Sequence, residues 1–219
     1  MSAPLLRQTA IADDPLWETV SVCERLASAA LMVALSPLLL GSAAAVAVLS
    51  GRSPLIAHRR VGWRGAPLWM LKLRTMWDRA DAAPPRRFRW IEYVEDDAGP
   101  RSKRACDPRV TSRLARFCRR HSIDELPQLW HVIRGEMSLV GPRPVTAAEL
   151  HRHYGGDAEE VLQVRPGLAG LWQISGRNQL TYSERRKLDL QLVRGRTLGL
   201  YLRILLRTIP KVWSGTDSW

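Results

Sequence analysis

Two adjacent carboxylates, Asp124 and Glu125, stand in His121-Ser122-Ile123-Asp124-Glu125-Leu126-Pro127-Gln128-Leu129-Trp130. Paired carboxylates can carry catalysis, and Asp124 is the first candidate for it. The same residues also fit plainer roles. Ser122-x-x-Glu125 matches a capping box, and both acids suit ion pairing in an arginine-rich chain. A second candidate is Arg143 in Gly141-Pro142-Arg143-Pro144. Prolines on both sides stiffen the backbone and would present the guanidinium to a phosphate in a fixed geometry, unless the segment is only a tight surface turn. Lys72 and Arg74 alternate with Leu71 and Leu73, so both cations share one strand face, free to hold a phosphate or simply to meet water.

These residues need elements to place them. Pro54 to Thr75 reads as a β-hairpin, with Val61-Gly62-Trp63-Arg64-Gly65-Ala66 as its turn. Residues 77–105 are polar, punctuated by Pro84-Pro85 and Gly99-Pro100, and read as a loop-rich insertion. After Asp107-Pro108-Arg109, the run RLARFCRR sets Arg113, Arg116 and Arg120 on one helical stripe, with Leu114, Phe117 and Cys118 away from it. A short helix is expected from Ser122 or Asp124 to before Gly135, with Pro127 near its start. Thr181-x-x-Glu184 is a second capping box, opening a helix to about Val193. Leu198 to Trp213 is apolar except for Arg203, Arg207 and Lys211, spaced four apart. That pattern fits an interfacial helix, or a core helix with one wet stripe.

From Leu26 to Gly51 the chain carries no charge. A helix of that length reaches about 37 Å, enough for a hydrocarbon core of about 30 Å. Asp13, Asp14, Glu18 and Glu24 precede it, which argues against a signal peptide. Ser36-Pro37 divides the stretch, and each arm alone falls short of a span. Three readings stay open: a re-entrant helix broken at Ser36-Pro37, a kinked spanning helix, and a buried core helix. In the membrane readings the basic remainder lies on the cytoplasmic side.

The net charge is +12, and residues 52–120, with 18 basic and 7 acidic side chains, carry most of it. An anionic partner is implied: nucleic acid, anionic lipid or a phosphorylated substrate. Cys23, Cys106 and Cys118 form no CxxC, which speaks against a zinc site and a disulfide framework.

The ordered set of the Ser-Pro-broken apolar segment, RRVGWRGAPLWMLKLRTM, DPRVT, SIDELPQLWHVIRGEMSLVGPRP and RPGLAGLWQISGR resembles the bacterial sugar transferases that are monotopic phosphoglycosyl transferases. The tail RPGLAGLWQISGRNQLTYSERRKLDL is most similar to exopolysaccharide-initiating members that transfer a hexose phosphate, in a short form of the family. The resemblance implies a mostly helical α+β fold with a small β-hairpin or sheet. A monotopic re-entrant helix and interfacial amphipathic helices attach it to the membrane. Residues 1–25 form an N-terminal segment, 26–51 the membrane helix and 52–219 a catalytic domain on the cytoplasmic face of the bacterial inner membrane.

It further implies transfer of sugar-1-phosphate from a UDP-sugar to undecaprenyl phosphate, with release of UMP. Asp124 is then the nucleophile and Glu125 its partner. Both are ligands of Mg2+, and Lys72, Arg74 and Arg143 hold phosphates. The expected partners are UDP-sugar, undecaprenyl phosphate and membrane lipid, without nucleic acid; a homodimer is allowed. The chain departs from the family pattern at Ala115, His131, Gln191-Leu192 and Tyr201. The competing classes are a membrane-anchored basic nucleic-acid-binding protein and a non-catalytic scaffold in which Asp124 and Glu125 only cap a helix.

Overall fold

The computed structural model describes residues 14–77, 88–95, 110, 112–176 and 180–214. Asp14 starts the first helix by accepting the Leu16 N–H at 2.9 Å, with Pro15 at the first helical position, where a missing N–H costs nothing. This helix, α1, runs Pro15–Ser50 and is closed by Gly51 at φ 65°. It therefore begins well ahead of Leu26, because the cap lies at Asp14 rather than at the edge of the apolar stretch. Pro37 stays inside the helix. Ser36 Oγ donates to Val33 O at 2.7 Å, the carbonyl whose usual N–H partner the proline lacks.

The two arms of α1 are buried and its middle is not. Ser21, Glu24 and Ser28 are buried on one arm, Ser42, Ala43 and Val46 on the other. No residue from 29 to 41 is buried. Ala43 and Val46 join Leu73, Trp77, Ala115, Cys118 and Ile123 in one core cluster. At the other arm, Trp17 and Val20 pack against a cluster of Val140, Ala169, Leu192, Tyr201 and Ile204.

The expected hairpin is present: β1 (Leu55–Val61) and β2 (Pro67–Leu73) pair antiparallel from Leu55↔Leu73 to Val61↔Pro67. Strand β3 (Ile91–Val94) lies parallel to β1, giving the order β2-β1-β3. It falls in the segment read as loop-rich, where its Ile-Glu-Tyr-Val composition was the overlooked strand signal. Residues 78–87 and 96–105 of that insertion, most of DPRVT, Cys106 and Arg177 lie outside the described residues.

Helix α2 (Arg113–Arg120) is capped by Ser112 and buries Ala115 and Cys118. Phe117 is half exposed and packs on His121 rather than joining the core. A 3-10 helix (Ile123–Gln128) runs directly into α3 (Leu129–Ile133), with the buried Pro127 at the junction. Strands β4 (Ser138–Val140) and β5 (Gly167–Ala169) pair in parallel. Around them lie α4 (Ala147–Glu149), α5 (Ala158–Leu162), α6 (Leu171–Ser175), α7 (Tyr182–Arg194) and α8 (Leu198–Ser214). The Thr181–Glu184 capping box forms as expected at the start of α7. On α8, Tyr201 and Ile204 face the core while Leu198, Leu202, Leu206 and Ile209 are exposed. Of its three spaced cations, Lys211 turns inward to Ile174 O at 3.2 Å, at the end of α6. The fold is mostly helical with small sheets, carried on one long apolar helix.

Candidate active site

The 3-10 helix places Asp124 and Glu125 in its first turn, directly after Ser122, which holds φ 55°. A left-handed Ser122 makes no side-chain cap, so the Ser122–Glu125 capping box does not form and Glu125 is turned to another task. Lys72 Nζ donates to Glu125 Oε1 at 2.8 Å, across from β2 to the 3-10 helix. Both partners are about one-quarter to one-third exposed, at 26% and 34%, so the pair faces a surface that substrate can reach. Asp124 is half-buried, and its charge reaches Cys118, whose thiol is pushed up chiefly by burial.

His131 fixes the spacing between these two elements. Leu71 N–H donates to His131 Nε2 at 3.2 Å, which puts the ring proton on Nδ1, 2.6 Å from Glu136 Oε2. The outer edge of β2 is thereby tied to α3, and the Lys72 face to the turn carrying Asp124. The departure from the family pattern at this position thus braces the elements that carry the candidate site.

Arg74 follows β2 but is only 5% exposed. Its Nε donates to Ser53 O at 2.8 Å and its Nη2 pairs with Glu92 of β3. Its fork is engaged inside the sheet. Arg143 stands in a second group. Its guanidinium lies 5.3 Å from the Trp172 ring centre, and Arg185 lies 5.1 Å from the same ring. The structure thus joins Lys72 to Glu125, beside Asp124 in the same turn, sets Arg143 with Trp172 and Arg185, and uses Arg74 to hold β3.

The loop bearing Arg143 is pinned from below. Gly141 N donates to Ala169 O and Gly167 N to Pro142 O, each at 2.9 Å. A Cβ on Gly141 would meet Arg165 O at 2.3 Å, so only glycine allows this approach of the two chains. The Arg143 main-chain N–H faces Asp189, which also accepts from Tyr154 Oη at 2.7 Å. Asp189 is fully buried, and burial pushes its carboxyl up to about 7. Sequence reasoning missed Asp189 and Tyr154; an aspartate on the apolar stripe of α7, beside Leu190 and Val193, was the available signal.

It also missed the role of Glu24. This buried acid accepts from Ser138 Oγ at 2.6 Å, Leu139 N at 2.9 Å and Tyr201 Oη at 2.6 Å. Tyr201, a departure from the family pattern, is thereby explained: its hydroxyl satisfies a carboxylate that α1 brings into the domain.

Asp124 and Glu125 were also expected to hold magnesium. Among the described residues no cluster of three or more His, Cys, Asp or Glu side chains could hold a metal. Two adjacent carboxylates fit a Mg2+ site completed by substrate phosphates, not a cage made by protein alone.

Comparison with known proteins assigns the chain to a family. The bacterial sugar transferase family model matches residues 18–215. The chain is 42% identical over 188 residues to the exopolysaccharide production protein ExoY of Sinorhizobium fredii, covering 86% of this chain and 82% of that one. It is 37% identical over 201 residues to the UDP-glucose:undecaprenyl-phosphate glucose-1-phosphate transferase of Caulobacter vibrioides, covering 88% and 69%. Against the undecaprenyl-phosphate galactose phosphotransferase of Salmonella typhimurium it is 38% identical, over 74% of this chain and 34% of that one. With an acid pair held beside a lysine, a pinned arginine loop and a long apolar helix, the chain belongs to the bacterial sugar transferase family and is a phosphoglycosyl transferase.

Proposed function

We propose that this enzyme transfers a hexose-1-phosphate from a UDP-sugar to undecaprenyl phosphate, releasing UMP, as the first membrane step of exopolysaccharide assembly. The observation that carries the reading is the Asp124–Glu125–Lys72 group: an acid pair presented by a strained turn, with one acid neutralised by a lysine from the sheet. The relatives' names supply the substrate class.

In the first displacement an Asp124 carboxylate oxygen attacks the β-phosphorus. The bond from that phosphorus to the bridging oxygen breaks, and UMP leaves with that oxygen and its electron pair. The acyl phosphate so formed carries the sugar. A phosphate oxygen of undecaprenyl phosphate then attacks the same phosphorus, and the bond to Asp124 breaks to restore the carboxylate. Lys72 holds Glu125 in place, and Arg143 offers its guanidinium to phosphate oxygens. Asp124 and Glu125 would hold Mg2+, which would supply neutralisation of the diphosphate charge. Arg74, expected to hold phosphate, instead ties the end of β2 to Ser53 and to Glu92 of β3.

Membrane attachment follows from α1, with the exposed Leu202, Leu206 and Ile209 of α8 as a second apolar contact. The basic block of residues 52–120 favours the cytoplasmic face of the inner membrane. That both arms of α1 pack on one domain supports the re-entrant reading.

The test is UMP release by purified protein with undecaprenyl phosphate, Mg2+ and a panel of UDP-sugars. Wild type is expected to turn over, chelation by EDTA to stop it, and Asp124→Asn to stop it while folding and membrane association persist. Normal turnover by Asp124→Asn would refute the covalent mechanism.

A further inference from the structure

Arg203 and Arg207 of α8 are exposed, but Lys211 is half-buried and turns inward. Its Nζ donates to Ile174 O at 3.2 Å and lies 3.5 Å from Gln173 O, both near the end of α6. One residue further along α8, Val212 O accepts from His121 Nδ1 at 3.2 Å, which puts a proton on that ring nitrogen. These two partners belong to different halves of the site. His121 closes α2 and directly precedes Ser122, the left-handed residue from which the Asp124–Glu125 turn starts. Helix α6 carries Trp172, the indole on which the Arg143 guanidinium rests. The last turn of α8 is suited to being held from outside. The final carbonyls of a helix have no donors within it, and Pro210, directly ahead, removes the helix bond to Leu206 O. Along the main chain the two halves are joined through α3 and β4. Helix α8 adds a second bridge, made of two side chains in series.

We propose that His121 and Lys211 are positioning residues, which with the last turn of α8 clamp the Asp124 turn to the Trp172–Arg143 group. The inference rests on the phosphoryl-transfer reading, in which both groups act on one diphosphate, and deepens it. The clamp keeps a phosphate held at Arg143 within reach of Asp124. A misplacement of about 1 Å can cost on the order of a hundredfold in rate, so a loosened clamp acts on kcat before it acts on KM.

The full chain in detergent micelles is compared as wild type, His121→Phe, Lys211→Met and the double variant. His121→Phe keeps a ring against Phe117 and loses the donor, and Lys211→Met keeps the length and loses the charge. Each is expected to lower kcat for UMP release about tenfold, with the donor KM within about twofold of wild type. Links in series fail together, so the double variant should be no slower than the slower single one, whereas independent contacts would multiply their losses. His121→Asn, whose amide N–H can stand in for Nδ1–H, and Lys211→Arg should restore most of the rate. Hydrogen exchange reads the clamp without turnover. His121→Phe should speed exchange of the Gln173 N–H, bonded to Gly170 O at 3.2 Å, and Lys211→Met that of the Glu125 N–H, bonded to Ser122 O at 3.0 Å. In each case the loosened half is the one that the altered side chain does not touch. Thermal melts establish folding, with His121→Ala and Lys211→Gln in place of any variant that does not melt cooperatively. Exchange that changes only in the touched half, losses that multiply, or kcat within about twofold of wild type for both single variants would overturn the clamp. Failure of the wild type to release UMP from any donor leaves the exchange test standing and would sink the proposed function instead.

Discussion

Burying a carboxylate takes it from water, and the protein must either give it donors or let it keep a proton. Glu24 is given donors: a hydroxyl and a main-chain N–H from β4 and a phenol from α8. Asp189 has the second. Tyr154 and the arginines pull its carboxyl down, yet burial wins and raises it from 3.8 to about 7. Between those values the folded state holds a proton that the unfolded chain has released. Stability contributed at this site therefore falls as pH rises from about 4 to about 7, and levels off above. Asp189→Asn carries no such titration, and its amide oxygen can still accept from Tyr154. The melting temperature of the variant, measured across that window, should gain on wild type as pH rises. Parallel curves for the two proteins would show that Asp189 is not the group responsible.

At the scale of elements, the Arg143 loop is placed by two glycines rather than by the prolines that drew notice in the sequence. Pro142 and Pro144 stiffen the loop, but Gly141 and Gly167 let the ends of β4 and β5 touch. In Gly141→Ala the new Cβ would meet main-chain atoms, which cannot swing aside like a side-chain end. The expected cost is about 1–3 kcal/mol, with a fall in turnover as Arg143 shifts. Gly156→Ala, with nothing within 4 Å, should leave the melt unchanged. An equal melt for Gly141→Ala would mean that the loop tolerates separation of the strands. The hairpin was legible because Gly62 and Gly65 flank a turn between two apolar runs, and α7 because its capping box is local. Strands β4 and β5 are three residues each, too short for alternation to register, and β3 hid between proline-rich and glycine-rich stretches. The acid pair was legible as chemistry. Its partners were not, since Lys72–Glu125 and Tyr154–Asp189 join residues far apart in sequence and only folding brings them together.

For the whole molecule the decisive question is where the two ends of the uncharged segment lie. Sequence left a span, a re-entrant helix and a core helix open, because length and the Ser-Pro step are compatible with each. Contacts at the ends of the segment narrow this. Before it, Glu24 is held by Ser138, Leu139 and Tyr201; after its midpoint, Ser42 bonds the Cys118 thiol, and Ala43 and Val46 enter the core with Leu73. A helix crossing a core of about 30 Å between these points would place one contact set beyond the bilayer from the domain that makes it. The proposed re-entrant reading keeps both, and it requires α1, which runs unbroken from Pro15 to Ser50 rather than breaking at Ser36-Pro37, to bend there in the membrane. In the proposed re-entrant reading, the unburied stretch 29–41, centred near Ser36-Pro37, would be the part that meets lipid. Cys23 is exposed at one end and supplies a native probe, and Ser50→Cys supplies the other, with Cys106 and Cys118 changed to serine. A membrane-impermeant maleimide applied to sealed inverted vesicles should label both positions, and applied to intact spheroplasts should label neither. Labelling of one position from each side would establish a true span and would require the contacts of one arm to be remade in the membrane.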